Sequence, residues 1–252
     1  MNYPNLEKLI EIVNILRSEN GCMWDREQTH TSLRRNMLEE AYEAVDAIDD
    51  KDTEHLKEEL GDVLLQVVLH SQIAKESNSF NIEDVAKGIS DKLIHRHPHV
   101  FGNTKVNSTD DILYNWDKLK KEEKPYRTSI MDGISKSQSA LMSAQKISKK
   151  AVKAGFEWPD EEDLYKCVLS EIKEFQNAHS QDEKEDELGD ILFAVVNLAR
   201  WNKIDAEQAL LRANKKFIKR FKEMELSANK ELEHLSLEEW DELWKKAKKQ
   251  AL

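Results

Sequence analysis

Glycine and proline are scarce, 7 and 4 in 252 residues, too few turn-formers for a many-stranded β protein. Cysteine is scarcer still, with only 2, Cys22 and Cys167. That number excludes a disulfide scaffold and suggests a reducing compartment. Neither cysteine has a Cys-x-x-Cys partner or ligand-spaced histidines, which argues against a zinc site. No apolar run is long enough to cross a bilayer. The opening Met1-Asn2-Tyr3-Pro4-Asn5 lacks the basic-then-apolar order of a secretory signal. These absences predict a cytoplasmic protein with no membrane partner. Excess positive charge is missing as well. The formal net charge is −11, which repels a polymeric phosphate backbone, so no nucleic-acid polymer is expected as a partner. Small phosphorylated ligands stay open, because a metal ion or a local Lys/Arg cluster inverts the field.

What is present is charge and helix-forming side chains. Charged residues make up 35% of the chain, and long stretches are rich in Ala, Leu, Glu and Lys, a mixture that favours an all-α fold with solvated faces. The chain also repeats itself. Gly21-Cys22-Met23-Trp24-Asp25 is echoed by Gly155-Phe156-Glu157-Trp158-Pro159-Asp160, and Leu38-Glu39-Glu40-Ala41-Tyr42-Glu43 by Leu169-Ser170-Glu171-Ile172-Lys173-Glu174. Glu59-Leu60-Gly61-Asp62 returns as Glu187-Leu188-Gly189-Asp190. Lys92 and Arg96 return as Lys216 and Arg220, and Trp116 with Lys120 as Trp244 with Lys248. The same landmarks in the same order at a shift of roughly 130 residues read as a tandem duplication. The predicted organisation is an N-terminal helical domain over 1–122, a linker over 123–140 and a C-terminal helical domain over 141–252. The linker carries Lys124-Pro125, Asp132-Gly133 and several serines. Each half is expected to hold about four helices in a bundle.

The acidic residues carry the chemistry. From Leu56 to Ile73 apolar side chains point in nearly every direction around a helix, which predicts a buried element. Glu59 and Asp62 interrupt it on one face, and Glu187 and Asp190 interrupt its counterpart in the same way. Buried carboxylates need a partner or a metal, and no Lys or Arg stands within a turn inside either apolar stretch. Gly61 and Gly189 lie mid-helix, at a propensity cost of about 1 kcal/mol each, where a ligand or another backbone comes close. Glu40 with Glu43 and Glu171 with Glu174 share a helix face upstream. One such pair alone reads as a solvated face opposite Leu38, Ala41, Val45 and Ile48. Its recurrence ahead of an acid-interrupted apolar helix reverses that reading. Four converging carboxylates repel unless cations intervene, and an all-oxygen set suits Mg²⁺, with Mn²⁺ as an alternative. Di-iron bundles favour Glu-x-x-His, whereas here the second partner is Asp. His95, His97 and His99 flank Pro98 and read as a polar helix end.

Glu-x-x-Glu followed by Glu-x-x-Asp on successive helices resembles the metal motif of the all-α nucleoside triphosphate pyrophosphohydrolases. Cys22-Met23-Trp24-Asp25-Arg26-Glu27-Gln28-Thr29-His30, Arg96-His97-Pro98-His99-Val100-Phe101 and Gly155-Phe156-Glu157-Trp158-Pro159 are similar to segments of the MazG family. The resemblance covers almost the whole chain. It implies Mg²⁺-dependent hydrolysis of nucleoside triphosphates to monophosphate and pyrophosphate, with broad base tolerance, by a homodimer working mainly through its C-terminal site. Glu171, Glu174, Glu187 and Asp190 would then bind metal and carry catalysis, and Glu40, Glu43, Glu59 and Asp62 match the same motif. Lys216, Arg220, Trp244 and Lys248 would contact the nucleotide, matched in the first copy by Lys92, Arg96, Trp116 and Lys120. Met23 replaces a proline usual in the family. Glu39 beside Glu40 is the doubled acid of the motif and a candidate for orienting water, and Ser170 replaces it in the second copy. Taken alone, Trp244 serves equally as a core or dimer anchor, and Lys216 and Arg220 as solvated charges. Two other readings remain: a non-catalytic metal and nucleotide sensor, and an acidic scaffold for basic partners.

Overall fold

The computed structural model describes residues 2–250, the side chain of Gln250 excepted, and its described residues form helices without strands. The chain divides into two compact units, one ending at Glu123 and the other beginning at Lys124. The first contains α1 (Pro4–Leu16), α2 (Met23–Glu27), α3 (Arg34–Asp50), α4 (Thr53–Glu76), α5 (Ile82–Arg96), α6 (Pro98–Phe101) and α7 (Thr109–Glu122). The second contains α8 (Ala140–Lys153), α9 (Glu161–Asn177), α10 (Gln181–Trp201), α11 (Ala206–Ser227), a 3₁₀ turn (Leu232–His234) and α12 (Leu237–Gln250).

Local sequence sets where these helices begin. Asp52, Asn81, Ser108, Ser139, Asp160, Ser180 and Asp205 each cap the following helix by accepting a backbone N–H, a contact worth about 1 kcal/mol. Asn81 with Asp84 and Ser180 with Glu183 close reciprocal capping boxes. Lys51, at φ 58°, adopts a left-handed turn that folds α4 back onto α3. The glycines that open the repeat are needed for different reasons. A Cβ on Gly21 would meet the Leu16 carbonyl oxygen at 2.2 Å, and Gly155 has φ +93°.

In the first unit α1, α3 and α5 all pack on α4, and α7 packs on α5. Val13, Leu33, Val68 and Leu69 form the centre, with Leu9, Ile10, Leu65, Ile73 and Ile82 packed around them. In the second unit α10 packs on α8 and α9, and α11 on α8 and α12. Leu164, Ala194, Val196, Ala206, Met224 and Ala247 are buried there. Gln145 ties α8 to the start of α11, donating to the Ile204 carbonyl at 2.6 Å and accepting from the Ala206 N–H at 3.0 Å. Each unit thus has five long helices rather than about four. The repeat begins one helix earlier than its first visible landmark, since α1 and α8 precede Gly21 and Gly155. The stretch expected as a linker groups with the second unit, where Lys150 Nζ donates to the carbonyls of Ile130 and Asp132.

One expectation is corrected. The helices apolar all round are not enclosed on all sides. In α4 Leu60 is 54% exposed and Leu64 is also open, and in α10 Leu188, Leu192, Phe193 and Val195 are open too. Packing within each unit covers the faces bearing Val68 and Leu69, or Ala194 and Val196, and leaves the other side of the helix free.

The segment after α1 and that after α8 are anchored alike. Arg17 forks onto Glu76 at 2.9 and 2.8 Å and donates to the Gln28 carbonyl. Arg200 forks onto Glu157 at 2.7 and 2.6 Å. Both arginines hold their carboxyls below the ordinary range. A lowered folded value means that the stabilisation is complete above the unfolded value near 4.5 and is lost as pH falls through the folded one. Glu157→Ala leaves the 9%-exposed Arg200 side chain without its acid. We expect a loss of about 1.5–3 kcal/mol at neutral pH, shrinking toward zero in acid, read from urea melts across pH.

Candidate active site

The two hairpins α3–α4 and α9–α10 carry the acids. In the first, ligand oxygens of Glu40, Glu43 and Glu59 all lie within 4.8 Å of one another. In the second, those of Glu171, Glu187 and Asp190 do the same. The i, i+3 spacing places two acids on one helix face, and the antiparallel return of the next helix brings up the others. Asp62 acts electrostatically on Glu40, and Glu174 on Glu187, so both stand beside their clusters. Glu40 is pushed above the ordinary carboxylate range, first by desolvation and then by the charges of Asp62, Glu43 and Glu59. Glu187 is pushed up likewise, by desolvation and then by Glu174, Asp190 and Glu171. Every named charge on either is negative. Protons or cations among the oxygens relieve such crowding. A hard divalent ion fits this donor set, which is all carboxylate oxygen.

Burial of the acids is uneven. Glu59 is 8% exposed, whereas Glu187 is half-buried and Asp190 exposed. Of the acids expected to be buried on these helices, only Glu59 is enclosed, and Glu187 and Asp190 are held near their neighbours at the open side of α10. Glu59 also has a partner that is neither Lys nor Arg. His55 Nε2 lies 2.9 Å from its Oε1, one helical turn earlier, a spacing visible in the sequence. On α9, Ser170 Oγ donates to Glu174 Oε1 at 3.0 Å, and Cys167 Sγ lies 3.7 Å from Glu171 Oε1. Glu39 accepts from Arg35 at 2.8 Å and stands outside the three-acid cluster. A Cβ at Gly61 or Gly189 would meet nothing within 4 Å, so the space before both is open within the chain.

The basic and aromatic landmarks also meet one another. The Arg96 guanidinium lies 5.5 Å from the Trp116 ring centre, and that of Arg220 lies 5.8 Å from Trp244. Lys248 Nζ sits 5.7 Å from Trp244. Lys92, Lys120 and Lys216 are exposed, and nothing places them on these rings. Phe217 packs at 5.2 Å on Trp244 and Phe221 at 6.0 Å on Trp240, walling a cavity of about 340 Å³ with Met224 and Leu237. In the first unit His97 meets Trp116 edge-on at 4.7 Å, and its Nδ1 donates to the Leu93 carbonyl oxygen at 2.6 Å, at the end of α5. The histidines around Pro98 form no metal cluster among the described residues.

A family profile described as the MazG nucleotide pyrophosphohydrolase domain matches residues 28–101 and 160–224. The chain belongs to the MazG family. Its two matched segments contain both acid sets together with Lys92, Arg96, Lys216 and Arg220, while Trp116, Lys120, Trp244 and Lys248 lie beyond them. Over 246 residues the chain is 46% identical to the nucleoside triphosphate pyrophosphohydrolase/pyrophosphatase MazG of Thermotoga maritima, covering 96% of this chain and 95% of that protein. It is 40% identical to the nucleoside triphosphate pyrophosphohydrolase of Escherichia coli K12 over 98% of both. It is 47% identical to the Bacillus subtilis protein YabN, of which it spans 52%. Membership makes this chain a hydrolase of phosphoanhydride bonds in nucleotides.

Removing one crowded acid has opposite effects with and without metal. Glu187→Gln relieves repulsion, so the metal-free protein is expected to melt at the same temperature or higher at neutral pH. Mg²⁺ or Mn²⁺ is expected to raise the melting temperature of the wild type, and Glu187→Gln is expected to reduce that rise. Differential scanning fluorimetry with and without chelator checks both.

Proposed function

We propose that the chain hydrolyses nucleoside triphosphates to the monophosphate and pyrophosphate, with Mg²⁺ at the acid clusters and broad tolerance of the base. The observation that carries this reading is the gathering of three carboxylates on each of two duplicated helix hairpins in a MazG-family chain. Glu171, Glu174, Glu187 and Asp190 would hold the metal in the second unit, and Glu40, Glu43, Glu59 and Asp62 in the first, with Mn²⁺ able to substitute. Bound there, such ions lower the pKa of water and neutralise charge on the attacking and leaving oxygens.

The remaining work falls to other side chains. Lys216, Arg220 and Lys248 bind the triphosphate by charge. Trp244 offers a ring face to the base, and stacking is worth about 1–3 kcal/mol with little dependence on which base is present. Arg220 and Lys248 both lie against that ring, so phosphate and base recognition share one anchor. The residues of the first unit, Lys92, Arg96, Trp116 and Lys120, repeat the pattern. The cellular role that fits is nucleotide-pool housekeeping in the cytoplasm; no helix among the described residues is long and apolar enough to cross a membrane.

The same reading includes a homodimer. Leu60 and Leu64 on α4, and Leu188, Leu192, Phe193 and Val195 on α10, expose apolar surface beside the acids, and a second copy of the same hairpins is self-complementary to it. Leu192→Glu is expected to shift the protein toward monomer in sedimentation and to lower turnover.

The deciding experiment measures pyrophosphate release from a panel of ribo- and deoxyribonucleoside triphosphates with Mg²⁺. We expect Glu187→Gln to lose about 100-fold or more in turnover and Glu59→Gln to lose less. Release that is absent from every triphosphate would favour a nucleotide sensor. Turnover that survives Glu187→Gln but not Glu59→Gln would move the working site to the first unit.

A further inference from the structure

The two units differ at the point where their basic residues meet their tryptophan. Arg96 Nε donates to Glu123 Oε1 at 2.9 Å, and its Nη2 donates to Glu123 Oε2. Both side chains are largely covered, at 10% and 21% exposure. Lys92 and His95 also act on Glu123 by charge, and together with Arg96 they hold its carboxyl below the ordinary range. One carboxylate thus sits among the basic groups of α5 in the two-pronged geometry that a phosphate uses with arginine.

Among its described residues the second unit has no such acid on Arg220. Among the described residues Arg220 has the Trp244 ring beside it and a buried Nε without an acceptor. The sequence register agrees, because Glu123 follows Trp116 by seven positions and the residue seven beyond Trp244 is Ala251. The aromatic wall differs too: where the second unit has Phe217 and Phe221, the first has Leu93 and His97.

We propose that Glu123 is an internal stand-in for substrate phosphate, occupying Arg96 so that the first unit does not take a nucleoside triphosphate and the second does. This rests on the function proposed above and adds the residue that separates the two copies. A triphosphate entering the first unit must displace a charged, two-pronged acceptor that is already in place, whereas in the second unit it meets a donor with nothing to give up. Glu123 is a positioning residue here, acting through Arg96 rather than on substrate.

Calorimetric titration of the full chain with Mg²⁺ and ATP carrying a methylene bridge between its α and β phosphorus atoms, which blocks turnover during the titration, tests this. Wild type is expected to bind one ATP per chain. Arg220→Ala should weaken that binding about tenfold or more. Adding Glu123→Gln should create a second class of site or restore affinity about tenfold, and adding Arg96→Ala should abolish the gain. Circular dichroism and melting curves establish that each variant is folded. If Glu123→Gln does not fold, Glu123→Asp, which keeps the charge and withdraws one methylene, should give a smaller gain in the same direction. A folded Glu123 variant whose ATP binding stays within twofold of its parent overturns the proposal. So do two ATP bound per wild-type chain that releases pyrophosphate, a result that leaves the proposed function standing. A wild-type chain that neither binds ATP nor releases pyrophosphate removes the proposed function and this inference with it.

Discussion

Negative charge crowded across the turn of a helical hairpin is the constraint around which each unit is arranged. Three carboxylates with oxygens within 4.8 Å of one another are held together against their own repulsion, and that work is done by packing. In the first unit α1, α3 and α5 clamp α4 through Val13, Leu33, Val68 and Leu69. In the second, α8 and α9 hold α10, with Ser148 Oγ donating to Asn197 Oδ1 at 2.5 Å as a polar pin. The Arg17–Glu76 and Arg200–Glu157 forks fix the far ends of α4 and α10. Stability built elsewhere thus holds a locally unfavourable arrangement in place.

Much of this is legible in the residues because it is written at short range. The i, i+3 pairs Glu40/Glu43, Glu59/Asp62, Glu171/Glu174 and Glu187/Asp190 share helix faces whatever the tertiary packing. The caps at Asp52, Ser180 and Asp205 are also local. What a linear reading does not supply is which side of an evenly apolar helix is covered. Leu60 and Val68 are alike in hydropathy, yet one is 54% exposed and the other 2%, and only the neighbours of α4 decide between them. The start of the repeat was hidden for a similar reason. α1 and α8 share no distinctive residue, and they are recognisable as equivalents by what they pack against. The pairing of Arg96 with Glu123 joins residues 27 apart in sequence and follows from the packing of α7 on α5.

Duplication gave the chain two copies of one hairpin, and the copies have drifted at their margins rather than at the acids. His55 supports Glu59 in the first, while Glu183 closes a capping box in the second. Cys167 and Ser170 touch the acids of the second, while Glu39 in the first turns to Arg35. Aromatic rings accumulate around Trp244, and histidine takes their place near Trp116. These differences lie around the carboxylates, where they alter surroundings without removing the acids themselves.

The position of Glu123 has a consequence for anyone who would divide the molecule. It is the last residue of the first compact unit and lies just beyond the end of α7. A half-chain ending at 123 keeps the two-pronged Glu123 side chain on Arg96, whereas one ending at 122 replaces it with a terminal carboxylate of different reach. Two fragments one residue apart in length are therefore different electrostatic objects, and ligand affinities measured on the shorter one would describe a protein that the intact chain never presents.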